Sequence, residues 1–117
     1  MIIDKFVSVT INSSNIKHYI NLNYRKVRII TRKNKKELQD KWDGRDYYDN
    51  EYIKDNFQLD PNDKNYPTID HKISIYNGFK NSIDCEIIGG LDNLCITKRT
   101  INSTKNKNNT YEPHKNI

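Results

Sequence analysis

Apolar and polar positions alternate over Phe6–Ile11 (FVSVTI), a β-branched run whose period predicts a strand. Asn12-Ser-Ser-Asn then supplies N-cap chemistry for a short helix carrying Ile16, Tyr19 and Ile20 at helical spacing. Lys26–Thr31 (KVRIIT) is again β-branched and predicts a second strand, giving a β-α-β module within residues 1–40. Glu37–Trp42 predicts a helical turn, Gly44 a turn inside a group of aromatic rings, and Asp55–Tyr66 a polar loop broken by Pro61. Apolar patterning resumes as a strand over Thr68–Ile75. A loop punctuated by Gly78 and Gly89-Gly90 separates it from a returning strand, Leu94–Thr97. Thr97 is placed to cap a helix from Lys98 to about Lys107, and the polar, Pro-containing stretch at 111–117 predicts a disordered tail. Strand, loop, strand and helix make a ββα unit within a second region, 41–110. The predicted class is α+β.

At 117 residues and 34% hydrophobic content the core must be modest, and the mean hydropathy of −0.97 agrees. Eight tyrosines and one tryptophan compensate in part. The cluster Trp42, Tyr47, Tyr48 and Tyr52 reads first as core, with base stacking as its other use. The net charge is +5. Such an excess favours a polyanion. Neither a membrane span nor a secretory leader is evident, so nucleic acid is the expected partner and the cytoplasm the expected setting. The basic run Lys17, Arg25, Lys26, Arg28, Arg32, Lys33, Lys35 and Lys36 alone would be a solvated face.

Cys85 and Cys95 are too few for a disulfide framework or a Cys₄ zinc site, and neither belongs to a Cys-x-x-Cys pair. Cys95, inside an apolar run, is expected to be a small buried hydrophobe. His18 and His114 have no partners in sequence. His71 does: it follows Asp70 in Tyr66-Pro-Thr-Ile-Asp-His-Lys-Ile-Ser-Ile75, and two asparagines, Asn93 and Asn102, flank the second apolar run. A carboxylate, an imidazole and a distant amide oxygen can hold one hard divalent cation beside one general base. Those are the parts needed to cut a phosphodiester. On a strand Asp70 and His71 point to opposite faces, so serving one site together calls for a bend or a bulge.

These residues resemble the HNH (ββα-metal) endonuclease family. The resemblance covers about Trp42 to Asn109 and is sharpest over Tyr66–Ile75 and Leu91–Lys105, where Asn93 and Asn102 stand nine residues apart. That second half is similar to the HNH domain of CRISPR RNA-guided nucleases, and Tyr47–Lys105 is similar to small HNH proteins of phages and large DNA viruses. The resemblance implies a bacterial or virus-infected host. It also implies metal ligation by Asp70 and Asn102 and a general base at His71. Asn93 would be the structural residue of the catalytic set, holding the loop that orients His71. Asn at the third position favours Mg²⁺ or Mn²⁺. The family's bracing zinc cysteines are missing, and the aromatic cluster would replace them. The connection from Asp70 to Asn93 is longer than in the most compact members.

The implied reaction is metal-dependent hydrolysis of DNA; among homing, packaging and restriction-type defence, the sequence leaves the use open, with homing the first expectation. A neutral His71 would take a proton from water, and the cation would stabilise the phosphate and leaving oxygen. Lys72, Lys98, Arg99, Lys105 and Lys107, with Arg28, Arg32 and Lys33 of the basic module, would neutralise phosphates of a double-stranded substrate. A double-strand cut would favour a homodimer over a monomer. The rival readings are a catalytically silent DNA-binding protein that keeps the fold, and an RNA-binding protein that stacks bases on its tyrosines.

Overall fold

A computed structural model describes residues 13–107, with side chains from 21 to 105. Its order is a long helix α1 (Ser13–Lys41), a 3-10 turn (Lys54–Gln58), strand β1 (Pro67–His71), short helices α2 (Ile75–Lys80) and α3 (Cys85–Ile88), a 3-10 turn (Leu91–Asn93), strand β2 (Leu94–Lys98) and helix α4 (Arg99–Lys107). The class is α+β, with a two-stranded antiparallel sheet. The predicted strand Phe6–Ile11 and the tail at 111–117 lie outside the described residues.

Helix α1 overturns the expected β-α-β module. Lys26–Thr31 is not a strand but the middle of a 29-residue helix. The β-branched run lowers helix propensity only by tenths of a kcal/mol per residue, roughly 0.7 at most, and burial outweighs that. Asn23, Val27, Ile30 and Asn34 recur at spacings of four, three and four, which sets them along one helical stripe. Val27 and Ile30 pack with Cys85 and Ile88, flanked by Ile75, Phe79 and Ile83. Fully burying such an aliphatic side chain contributes about 1.5–3 kcal/mol. The Tyr24 ring meets Phe79 edge-on at 5.2 Å. Asn23 and Asn34 fix the stripe's polar edges by accepting from Cys85 Sγ (3.2 Å) and donating to the Gly89 carbonyl (2.9 Å). Gly89 permits this approach, since a Cβ there would lie 2.9 Å from both Ile30 Cβ and the Val27 carbonyl oxygen.

Strand β1 is shorter than expected. It ends at His71, and Ser74 caps α2 by accepting from the Asn77 amide at 3.1 Å. The connection to β2 therefore holds two short helices where the sequence suggested loop. The register pairs Asp70 with Cys95 and His71 with Leu94. Thr97 does not cap the last helix. It is fully buried and donates to the carboxylate of Asp46 (2.9 Å). That buried carboxylate also accepts from the backbone amides of Lys98 and Tyr48, both at 2.8 Å. Asp46 thereby ties the 45–52 turn to β2, and Gly44 starts that turn at φ +89°.

The aromatic cluster divides. Trp42 packs edge-on against Phe57, and Phe57 against Tyr66. Tyr47 and Tyr52 stay exposed, and Tyr48 turns inward. Both cysteines are buried and unbridged, and burial pushes the Cys95 thiol up to about 12. Among the described residues no helix is long and apolar enough to cross a membrane.

Candidate active site

β1 delivers Asp70 and His71, and α4 delivers Asn102. All three line one cleft of about 380 Å³ with Tyr24, Arg28 and Tyr76. No bulge is needed, because the ladder runs unbroken through Asp70 and His71. The pleat sends the two side chains to different partners, and the strand ends there, so both border the same opening.

Asp70 is 3% exposed. Its carboxylate accepts from the Tyr48 hydroxyl at 2.6 Å and from the Lys105 ammonium at 3.2 Å. Burial raises its pKa above the ordinary carboxylate value, with Lys105 the strongest influence pulling the other way. Burial, then the Asp70 hydrogen bond, raises the Tyr48 phenol. That keeps Tyr48 a donor.

His71 meets α1. A hydroxyl carries one proton, and Thr31 gives its own to the Val27 carbonyl at 2.9 Å. The 2.8 Å contact between Thr31 Oγ1 and His71 Nε2 is then one in which the imidazole N–H donates. On this network the tautomer is assigned as Nε2–H, with Nδ1 the acceptor nitrogen. Burial, reinforced by the positive charges of Lys105 and Arg28, pushes the imidazole pKa down to about 4. His71 is neutral at physiological pH.

Asn102 donates through Nδ2 to Thr68 Oγ1 (3.1 Å) and the Ile69 carbonyl (3.2 Å). Both contacts lie on β1, so they dock α4 against the strand. Asn93 is a clamp. Its Oδ1 accepts from the Ile73 amide (2.8 Å), and its Nδ2 donates to the carbonyls of Ile73 (3.0 Å) and Ile88 (2.8 Å). Its own carbonyl accepts from the Lys72 amide at 2.7 Å. These bonds fix the chain immediately after His71.

Among the described residues no group of three or more His, Cys, Asp or Glu side chains is placed to hold a metal ion. A cation at this cleft would rest on Asp70, Asn102 and oxygen atoms from water or substrate. That donor set suits Mg²⁺, which commonly takes one or two carboxylates and keeps several waters. A cationic group is already stable against the carboxylate, namely Lys105.

The expected phosphate contacts separate. Lys98 and Lys105 point inward: Lys98 is held by the carboxylates of Asp49 and Glu51, and Lys105 by Asp70 and the His71 carbonyl. Each is a buried ammonium that needs a counter-charge. Arg99 donates to the Pro61 carbonyl, and Lys72 lies 4.7 Å from the centre of the Tyr47 ring. The Lys107 side chain is outside the described set. Arg28 borders the cleft, and Arg32 and Lys33 are exposed on α1. Sequence reasoning missed Thr31, Tyr48 and the inward course of Lys105. Tyr48 at least stood in the aromatic cluster, whereas Thr31 lies 40 residues from the imidazole it touches.

No family model matches the chain, and neither the curated proteins nor the solved structures contain a significant match.

Proposed function

We propose that this chain is an HNH-type, metal-dependent DNA endonuclease. The observation that carries the reading is the meeting of Asp70, His71 and Asn102 in one cleft. Supporting it, Asn93 clamps the segment after His71 and Thr31 holds the imidazole with Nδ1 as acceptor. His71 Nδ1 takes the proton of the attacking water, a contribution of roughly 10²–10⁴-fold for base catalysis. Its low pKa keeps it unprotonated at working pH while limiting its strength as a base. Asp70 and Asn102 would hold a divalent cation. When bound, that ion supplies charge stabilisation at the phosphate and the leaving oxygen. Arg28 at the rim supplies fixed positive charge.

A second reading has its own observation. Lys105 already neutralises Asp70, as a metal-independent, catalytically silent DNA-binding protein would require. Supercoiled plasmid incubated with Mg²⁺ or EDTA, with wild type beside His71→Ala, tests both. The nuclease reading expects nicking by wild type alone, and only with metal. DNA retardation without nicking in Mg²⁺ or Mn²⁺, on plasmid and on a random-sequence library, would establish the silent binder instead.

A further inference from the structure

The outer face of α1 carries more charge than the core or the proposed chemistry, which draws on Arg28 alone, uses. Helix α1 holds nine Lys and Arg residues against two acids. Both acids sit at its C-terminal end and are spent there, Asp40 on Lys36 and Glu37 on Lys41. Upstream, Arg25, Arg28 and Arg32 recur at i, i+3 and i+7. At 3.6 residues per turn they fall within an arc of about 60° and span about 10 Å of helix axis. With Asn21, Tyr24 and Ile29 they line a groove of about 650 Å³. Tyr24 and Arg28 also line the cleft of Asp70 and His71, so the groove and the cleft are adjacent and share these two side chains. No acidic residue lines the groove, and among the described residues no carboxylate pairs with any of these three arginines.

Like charges at i, i+3 and i+4 repel and weaken a helix. Three guanidiniums on one ridge without a carboxylate partner, Arg28 resting 5.6 Å over the Tyr24 ring, are therefore unfavourable for the free fold. The neighbouring cations Lys26 and Lys33 lie about 100° round the helix from Arg25 and Arg32, on the side away from the cleft. The guanidinium, whose planar fork matches phosphate geometry, is the residue facing the groove, and lysine occupies the flank.

We propose that the Arg25–Arg28–Arg32 ridge is the phosphate track for the strand presented to the cleft. Arg28 holds the phosphate beside the scissile one, and Arg25 and Arg32 hold a phosphate on either side. The ligand is the sugar–phosphate backbone of duplex DNA, read without regard to sequence. Lys33 falls outside the track and Arg25 enters it. The identity of the scissile position rests on the nuclease reading, whereas the grip on the backbone does not.

The test measures affinity of the full chain for a fluorescein-labelled duplex of arbitrary sequence in EDTA, across a KCl series. Each phosphate contact contributes about 0.9 to the slope of log K against log salt for duplex. The triple variant Arg25→Gln/Arg28→Gln/Arg32→Gln is expected to flatten the slope by two to three and to weaken low-salt binding at least tenfold. The double variant Lys26→Gln/Lys33→Gln is expected to change the slope by less than half as much. All five side chains are exposed, and unchanged helicity by circular dichroism confirms intact folding. A triple variant with the wild-type slope overturns the track, as does a Lys26/Lys33 variant that flattens it equally. Tighter binding to single-stranded DNA or RNA of equal length overturns the duplex assignment. Arginine-dependent binding without nicking in any divalent ion removes the nuclease reading and leaves the track. Nicking with arginine-independent binding does the reverse.

Discussion

The ammonium of Lys105 lies 3.2 Å from Oδ1 of Asp70, with both side chains all but inaccessible to solvent. It also donates to the His71 carbonyl at 2.6 Å, so one cation ties α4 to the end of β1. Removing one member of a buried pair strands the other, at a cost of about 3–5 kcal/mol. Lys105→Met is therefore expected to lower the melting temperature sharply, and Asp70→Asn/Lys105→Met to recover most of the loss. If Asp70 is the carboxylate on which a divalent cation rests, Mn²⁺ competes with the ammonium in wild type and meets no rival in Lys105→Met. Millimolar Mn²⁺ should then raise the melting temperature of Lys105→Met more than that of wild type. Equal shifts would show that the two cations do not share the site.

Thr31 offers a prediction confined to the chemistry. It accepts from His71 Nε2 while donating to its own helix, so it sets the tautomer from outside the residues that line the cleft. Thr31→Val keeps the side-chain shape and removes the acceptor. Loss of partners that orient a catalytic imidazole typically costs about 10–100-fold. We expect the nicking rate of Thr31→Val to fall by that factor with DNA affinity unchanged, and Thr31→Ser to stay near wild type. A parallel loss in Thr31→Ser would place the effect in packing instead.

The hairpin and last helix were legible because local pattern and tertiary environment agree there. The apolar positions Ile69, Leu94 and Ile96 sit in strands, and the nine-residue step from Asn93 to Asn102 spans β2 into α4. Helix α1 was not legible over Lys26–Thr31, because four of its six residues are β-branched and six residues are too few to establish a helical period. The period emerges only when Asn23 and Asn34 are counted as inward positions, and both are polar residues whose burial depends on Cys85 and Gly89 far along the chain. Lys98 and Lys105 were misread for a related reason. A lysine's charge is visible in sequence, but the carboxylates that draw it inward lie 35 to 49 residues away.

Asn93 is expected to matter to the fold before it matters to any reaction. Its side chain satisfies the Ile73 amide and two carbonyls in a buried turn. A buried polar group left unpaired costs about 1–3 kcal/mol. Asn93→Ala, which strands three, should destabilise by roughly 3 kcal/mol or more in urea denaturation. Asn93→Asp keeps the acceptor for Ile73 and loses both donors, so an intermediate loss is expected. A stability equal to wild type in Asn93→Ala would mean that water replaces the clamp.

His71 makes stability depend on pH with a definite sign. In the unfolded chain its imidazole titrates near 6.5, and in the folded protein burial and the nearby Lys105 and Arg28 charges hold it at about 4. Between those values the unfolded state binds a proton that the folded state does not, so stability falls as pH falls. One pH unit corresponds to about 1.4 kcal/mol, and the full arm to about 3 kcal/mol as an order of magnitude. Asp70 acts in the opposite sense, because its raised pKa lets the folded state take up a proton first on acidification. Comparing wild type with His71→Asn removes that shared contribution. Urea midpoints at pH 7.5 and pH 5 should show a larger acid loss in wild type than in His71→Asn. Equal losses would mean that His71 is not held neutral by its surroundings, and would weaken its role as a base as well.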